Sequence, residues 1–151
     1  MKKFLRPLAL TFLMIGCAAY GFSQNTVIGK WKTIDDETEK PKSIVEIYEQ
    51  DGKLYGKVIE LFREPEEEQD PVCNECDEKD PRYKQKVRGM VIMQGLKKDK
   101  DGVWENGKIL DPKNGKVYGC DIALQGEDKL KVRGYIGFSL LGRTQYWYRE
   151  K

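Results

Sequence analysis

Histidine is absent from all 151 residues. That removes the commonest general base and the commonest metal ligand. Ser-His-Asp and Cys-His catalysis are excluded, together with His-ligated zinc. A surplus of one charge is lacking too: 27 basic and 25 acidic residues leave a net charge of +2. A nucleic-acid-binding face needs a strongly basic balance, so no nucleic-acid partner is expected. Long apolar runs are scarce. The longest, Leu8 to Ala19, falls short of the roughly 20 residues of a membrane span.

That run has a specific setting. Lys2, Lys3 and Arg6 precede it, and the small residues Gly21 and Ser23 follow it. The order is that of a secretory signal peptide over residues 1–23; a buried N-terminal helix is the structural alternative. Cleavage after Ser23 leaves Gln24 first, removes three cations and no acid, and takes the net charge to −1. Residues 24–151 then suit one domain with one core. The expected location is outside the cytoplasm, periplasmic or secreted. Met14-Ile15-Gly16-Cys17 approximates a lipoprotein motif; a lipid on Cys17 is the one route to a membrane anchor.

The remaining chain alternates apolar and polar residues and has no helical period. Residues 43–50 and 53–61 are β-prone runs split by Asp51-Gly52, a strong hairpin signal. Further runs span 88–96, 103–110, 116–124, 129–136 and 143–149. Asn106-Gly107 reads as a tight turn inside the fourth of these β-rich stretches, and Asp111-Pro112-Lys113-Asn114-Gly115 is dense turn chemistry. About eight short strands with one apolar face each predict an all-β, antiparallel up-and-down barrel, since closure removes exposed edges. A two-sheet β-sandwich is the alternative.

Gly29-Lys30-Trp31 resembles the Gly-x-Trp signature on the first strand of lipocalins. In a closed meander the first and last strands run antiparallel, which brings Trp31 near Trp147 and Arg149. Gly29, Trp31 and Arg149 are therefore assigned to barrel closure, with a cation over an indole face. More blocks match in order: Leu54-Tyr55-Gly56-Lys57-Val58, Asp111 to Tyr118, Leu130 to Gly137 and Leu141 to Arg149. Together these resemble the bacterial domain-of-unknown-function family numbered 2147. The resemblance implies an exported, lipocalin-like barrel and no established activity, substrate or catalytic residue. It covers residues 62–87 least.

Those residues break the rhythm. They hold nine acids, three prolines and Cys73-Asn74-Glu75-Cys76. In an exported protein the Cys73/Cys76 pair defaults to a disulfide. A redox-active pair needs a depressed thiol pKa, and Glu75, Asp77 and Glu78 act against it. Zinc held by Cys73, Cys76 and Cys120 lacks histidine and an apt compartment, and Cys120 bridging to one of the pair stays open. The acids do not follow EF-hand spacing; a solvated, self-repelling loop is the plain reading, and loops this long are usually functional or mobile. Glu46 and Glu60 are the carboxylates that strand placement offers for paired acid–base work, although charged strand residues mostly face solvent.

Neither a metal nor a cofactor is expected. Aromatics suit a barrel core, and Tyr48, Tyr118, Arg143, Gln145 and Trp147 are the candidate ligand-binding residues at one mouth. The functional expectation is a non-catalytic binding module for a small, partly apolar molecule in the cell envelope. The alternative is an interaction protein that uses the Cys73–Cys76 loop.

Overall fold

A computed structural model describes residues 26–137 and 141–151. The expected signal peptide and Cys17 lie outside the described residues. Eight strands follow in chain order: β1 Gly29–Ile34, β2 Pro41–Gln50, β3 Lys53–Leu61, β4 Val91–Lys98, β5 Trp104–Asp111, β6 Lys116–Leu124, β7 Lys129–Tyr135 and β8 Gly142–Arg149. Each pairs antiparallel with its sequence neighbours, and β1 pairs with β8 to close the barrel. A single closed barrel replaces the two-sheet alternative.

Alternation decides which side chains fill it. Val45 and Ile47 on β2, Leu54 and Val58 on β3, Ile122 on β6, and Leu130 and Val132 on β7 are buried. Lys30, Lys32, Lys131 and Arg133 take the intervening outward positions. Each large apolar side chain so buried contributes about 1.5–3 kcal/mol. An apolar interior behind a charged wall is the inverse of a membrane-spanning barrel.

The turns follow their residue types. Asp51 and Gly52 both have positive φ (52° and 72°), as the twist-matched two-residue hairpin turn requires. Asn106-Gly107 departs from expectation: it is no turn but an irregularity inside β5, where pairing with β6 shifts register between Trp104 and Gly107. The physical reason is packing. A Cβ on Gly107 would lie 2.3 Å from Cγ of Leu96, so the bulge lets β5 pass a large core residue. Asn106 takes the strained φ of 61° on the exposed side, where a short polar side chain tolerates it.

The two ends of the barrel differ. Short turns at 51–52, 99–103 and 125–128 lie at one end with the start of β1 and the end of β8. The connections 35–40, 62–90 and 112–115 lie at the other, the loop end, with the end of β7 and the start of β8.

The 62–87 segment is not the solvated loop that its composition suggests. Val72 and Lys86 form a β-bridge, and backbone bonds join Cys73 N to Gln85 O (2.9 Å) and Lys84 N to Cys73 O (2.9 Å). Cys73 and Cys76 are disulfide-bonded and only 0% and 4% exposed. Arg82 holds Asp80 at 2.7 Å and reaches the Val91 carbonyl on β4 at 3.3 Å; that guanidinium lowers the Asp80 carboxyl to about 2. Leu110 takes an outward position, since its neighbour Ile109 pairs with inward Met93, yet it is 1% exposed. The segment is thus a clipped lobe docked on the outside of the barrel, with eight of its nine acids exposed and Asp80 held by Arg82.

Candidate functional site

The short-turn end is plugged. Trp31 is fully buried, and its indole Nε1 donates to the Val27 carbonyl at 2.8 Å. The Arg149 guanidinium lies 4.2 Å above the Trp31 ring. Its Nε donates to Glu127 O and its Nη2 to Thr26 O, both at 2.7 Å. A Cβ on Gly29 would stand 3.1 Å from Arg149 Nη1, so the glycine leaves room for the cation. A cation on an indole face contributes about 0.5–2 kcal/mol. These three residues seal the barrel and offer no surface to a ligand.

The loop end is built otherwise. Among the described residues β1 and β8 pair at two rungs, Trp31–Arg149 and Lys32–Tyr148. Toward the loops the seam is spanned by side chains instead. Asp36, in the β1–β2 connection, accepts from Gln145 Nε2 and pairs with Arg143 Nη2. Asp35 next to it is lowered below its ordinary pKa, first by the Thr38 backbone N–H, and so stays ionised. Behind the seam Thr33 and Ser43 share a buried hydroxyl–hydroxyl bond of 2.7 Å.

Trp147 stands two residues below Gln145 on the same face and is 2% exposed. Its indole Nε1 is the one buried side-chain polar atom without a hydrogen-bond partner among the described residues. A buried indole N–H normally finds an acceptor, and leaving it unmet costs about 1–3 kcal/mol. The interior near the seam therefore has a donor for which the described residues supply no acceptor.

The sequence-derived candidates divide accordingly. Arg143, Gln145 and Trp147 come together on one face of β8. Tyr118 turns to the interior side of β6, beside buried Cys120, with its hydroxyl 3.2 Å from Asn114 Nδ2. Tyr48 does not join them: it stacks on Tyr55 with ring centroids 5.7 Å apart, under Lys57, on the outer wall. Register shifts in β2 fall just before Ser43 and between Ile44 and Val45, within the buried trio Ser43, Ile44 and Val45, so simple alternation misplaces it. Glu60 is exposed and Glu46 lies on the outer wall opposite Lys30. Sequence reading missed Asp36, Thr33 and Ser43; the acid-rich turn at 35–37 gave no sign of reaching β8.

Two shallow depressions lie on the outer wall of the barrel. One, about 430 Å³, has Tyr135 lying against Gly119 at its edge. The other, about 310 Å³, is lined by Lys32, Lys40, Pro41, Phe62, Arg63 and Glu64. No cluster of three or more Cys, Asp or Glu suited to a metal occurs among the described residues.

Cys120 is buried at 0% exposure. Burial, aided by the Asp121 charge, pushes its thiol up to about 12 from 9.0. The fold thus favours the neutral thiol: its contribution to stability is complete below the unfolded pKa near 9.0 and is lost as pH rises toward about 12. In the chain cleaved after Ser23, iodoacetamide at about pH 8 should label no thiol when native and one after unfolding without reductant. Labelling of the native protein would contradict the buried position.

Residues 29–149 match the family described as "Uncharacterized protein conserved in bacteria (DUF2147)". No curated protein matches. Among solved structures, a similar one is protein HP1028 from Helicobacter pylori, described as belonging to the lipocalin family. It shares 21% identity at a TM-score of 0.71, over 83% of this chain and 84% of that one. With the match running from the first strand to the last, the chain belongs to the DUF2147 family of uncharacterised bacterial proteins, and its fold is the lipocalin-like barrel.

Proposed function

We propose that this protein is an exported, non-catalytic carrier or receptor for a small, partly apolar molecule with an acceptor-rich, anionic end. The site lies at the loop end, along the side-chain-spanned part of the β1–β8 seam. The observation that carries this reading is the unpartnered Trp147 indole N–H, aligned with Gln145 and Arg143 above it. A carboxylate or phosphate entering from the loop end meets Arg143 first, in place of Asp36. An acceptor oxygen deeper in meets the indole. Pockets of this kind combine apolar walls with a few placed polar groups. The filled, plugged end restricts the ligand to a short one. Export fits the Cys73–Cys76 disulfide, and no described helix is long and apolar enough to cross a membrane.

The probe is octanoate, with octylamine as its opposite-charge control. Octanoate should bind in calorimetry and octylamine should not. Arg143→Ala should weaken octanoate by roughly tenfold or more, the loss of one charge-assisted bond. Trp147→Phe is the sharper test: removing an unmet donor should leave the melting temperature of the ligand-free protein unchanged or higher, while octanoate binding weakens. Absence of octanoate binding, with no small molecule retained in a native mass spectrum of gently purified protein, overturns the proposal. So does a Trp147→Phe variant that loses stability and keeps its affinity.

A further inference from the structure

One wall of the barrel carries a charge pattern that the ligand site does not use. Lys129, Lys131 and Arg133 are successive outward residues of β7. Lys30 and Lys32 are successive outward residues of β1. Between them, β8 presents Thr144, Tyr146 and Tyr148, in register with Arg133, Lys131 and Lys129. Tyr146 and Tyr148 are 38% and 46% exposed, and Lys129 Nζ lies 4.1 Å over the Tyr146 ring. Neighbouring strands lie about 4.8 Å apart, so two rows of cations flank a tyrosine row within a band roughly 10 Å wide.

Five acids border this band, and two of them stand in register with its cations, Glu46 opposite Lys30 and Asp121 opposite Arg133, whereas Lys131 and Lys129 stand opposite Tyr146 and Tyr148. Glu150 pairs with Lys32 at 2.8 Å. Asp121 flanks the band on β6, where it accepts from Asn106 N (3.1 Å) and the Tyr135 hydroxyl (3.3 Å). Glu46 flanks it on β2, and Glu127 and Asp128 sit in the turn at its foot. At the other end of the same hairpin Ile136 and Leu141 are 65% and 73% exposed, joined by an Ile136 N to Leu141 O bond of 3.1 Å. The acidic lobe docks over β4 and the β5–β6 turn, and β4 is four strands around the ring from β8. The acidic lobe and the β8 tyrosine row therefore lie on opposite sides of the barrel.

We propose that the β7–β8–β1 wall is a docking face for an anionic lipid surface. Basic side chains within a Debye length are drawn to anionic headgroups. Tyrosines suit the interfacial layer, and the exposed Ile136 and Leu141 have a place in the outer acyl boundary. A soluble acidic polymer would use the cations and leave both aliphatic side chains in water, so lipid is favoured. The acidic lobe then faces away, which fixes the orientation. This inference is separate from the ligand reading, because none of the residues tested lies at the β1–β8 seam.

The test is co-sedimentation of the chain cleaved after Ser23 with vesicles of phosphatidylcholine alone, or of equal parts phosphatidylcholine and phosphatidylglycerol. At about 0.1 M salt the protein should sediment with the anionic vesicles and stay free of the neutral ones; at about 1 M salt it should be released. Lys129→Gln with Lys131→Gln should weaken partitioning roughly tenfold to thirtyfold, with unchanged circular dichroism. Ile136→Ser with Leu141→Ser should weaken it severalfold without touching charge. Failure to sediment with anionic vesicles, or full partitioning by the lysine variant, overturns the proposal. Tight binding to soluble dextran sulfate that the Ile136/Leu141 variant retains, with no vesicle binding by either protein, would make the face a polymer site and also overturns it.

Discussion

Replacing Trp31 with alanine should destabilise the protein by about 3–5 kcal/mol, the range for deleting a buried aromatic side chain. For a barrel of this size that lowers the melting temperature by roughly 10–20 °C. Three losses combine. The ring leaves a cavity at a position with 0% exposure. The Val27 carbonyl loses its 2.8 Å donor. The Arg149 guanidinium loses the ring face 4.2 Å below it. Trp31→Phe separates them, since it keeps most of the packing and removes only the N–H; about 1–2 kcal/mol is expected. Arg149→Ala should be costly as well, because that side chain ties the segment before β1 and the β6–β7 turn to the plug. A double-mutant cycle between Trp31 and Arg149 should return a coupling of about 0.5–2 kcal/mol. Thermal melts of Trp31→Ala within a few degrees of the parent would mean that the plug does not hold the barrel shut.

That plug is readable in the sequence, and the reason is topological. Once alternation gave an even number of strands in a meander, closure placed the first strand beside the last, and Trp31–Arg149 is one of the two rungs that form. The Asp51-Gly52 hairpin was readable because its chemistry is local. What failed was whatever depends on how side chains pack between strands. Asn106-Gly107 has the composition of a turn, but Leu96 on the neighbouring strand needs the missing Cβ and the strand runs on. Tyr48 looked like a pocket residue because aromatics favour interiors, yet it stacks on Tyr55 outside. In the 62–87 segment nine acids concealed a few apolar contacts, Cys73, Cys76 and their cover over Leu110, that carry no period at all.

The candidate site was half readable for the same reason. Arg143, Gln145 and Trp147 share a face by simple alternation along β8, so their alignment follows from period two. Asp36 comes from a turn 107 residues upstream of Arg143 and reaches it only because the barrel closes. The unmet Trp147 donor is a three-dimensional absence: it is defined by what the surrounding strands fail to supply.

The docking of the lobe yields the second large effect. Gly115 has φ +70°, and a Cβ there would lie 1.6 Å from the Glu75 carbonyl oxygen and 2.2 Å from the Glu75 carbonyl carbon. Both are backbone atoms and cannot rotate away. Gly115→Ala therefore combines a left-handed backbone strain with a collision, for about 2–4 kcal/mol. The barrel ladder does not pass through this contact, so far-UV circular dichroism should keep its strand signature while the lobe lifts. If reduction of Cys73–Cys76 requires that opening, its rate should rise roughly thirtyfold to a thousandfold. Trypsin should cut at Arg82, Lys84 and Lys86, and Leu110 should become accessible to an apolar dye. Gly126→Ala isolates the collision: Gly126 has a similar φ of +78° with nothing within 4 Å of its Cβ position, so it should show only the backbone cost of about 1 kcal/mol. Equal protection of the disulfide in the two variants would show that the lobe does not rest on the β5–β6 turn.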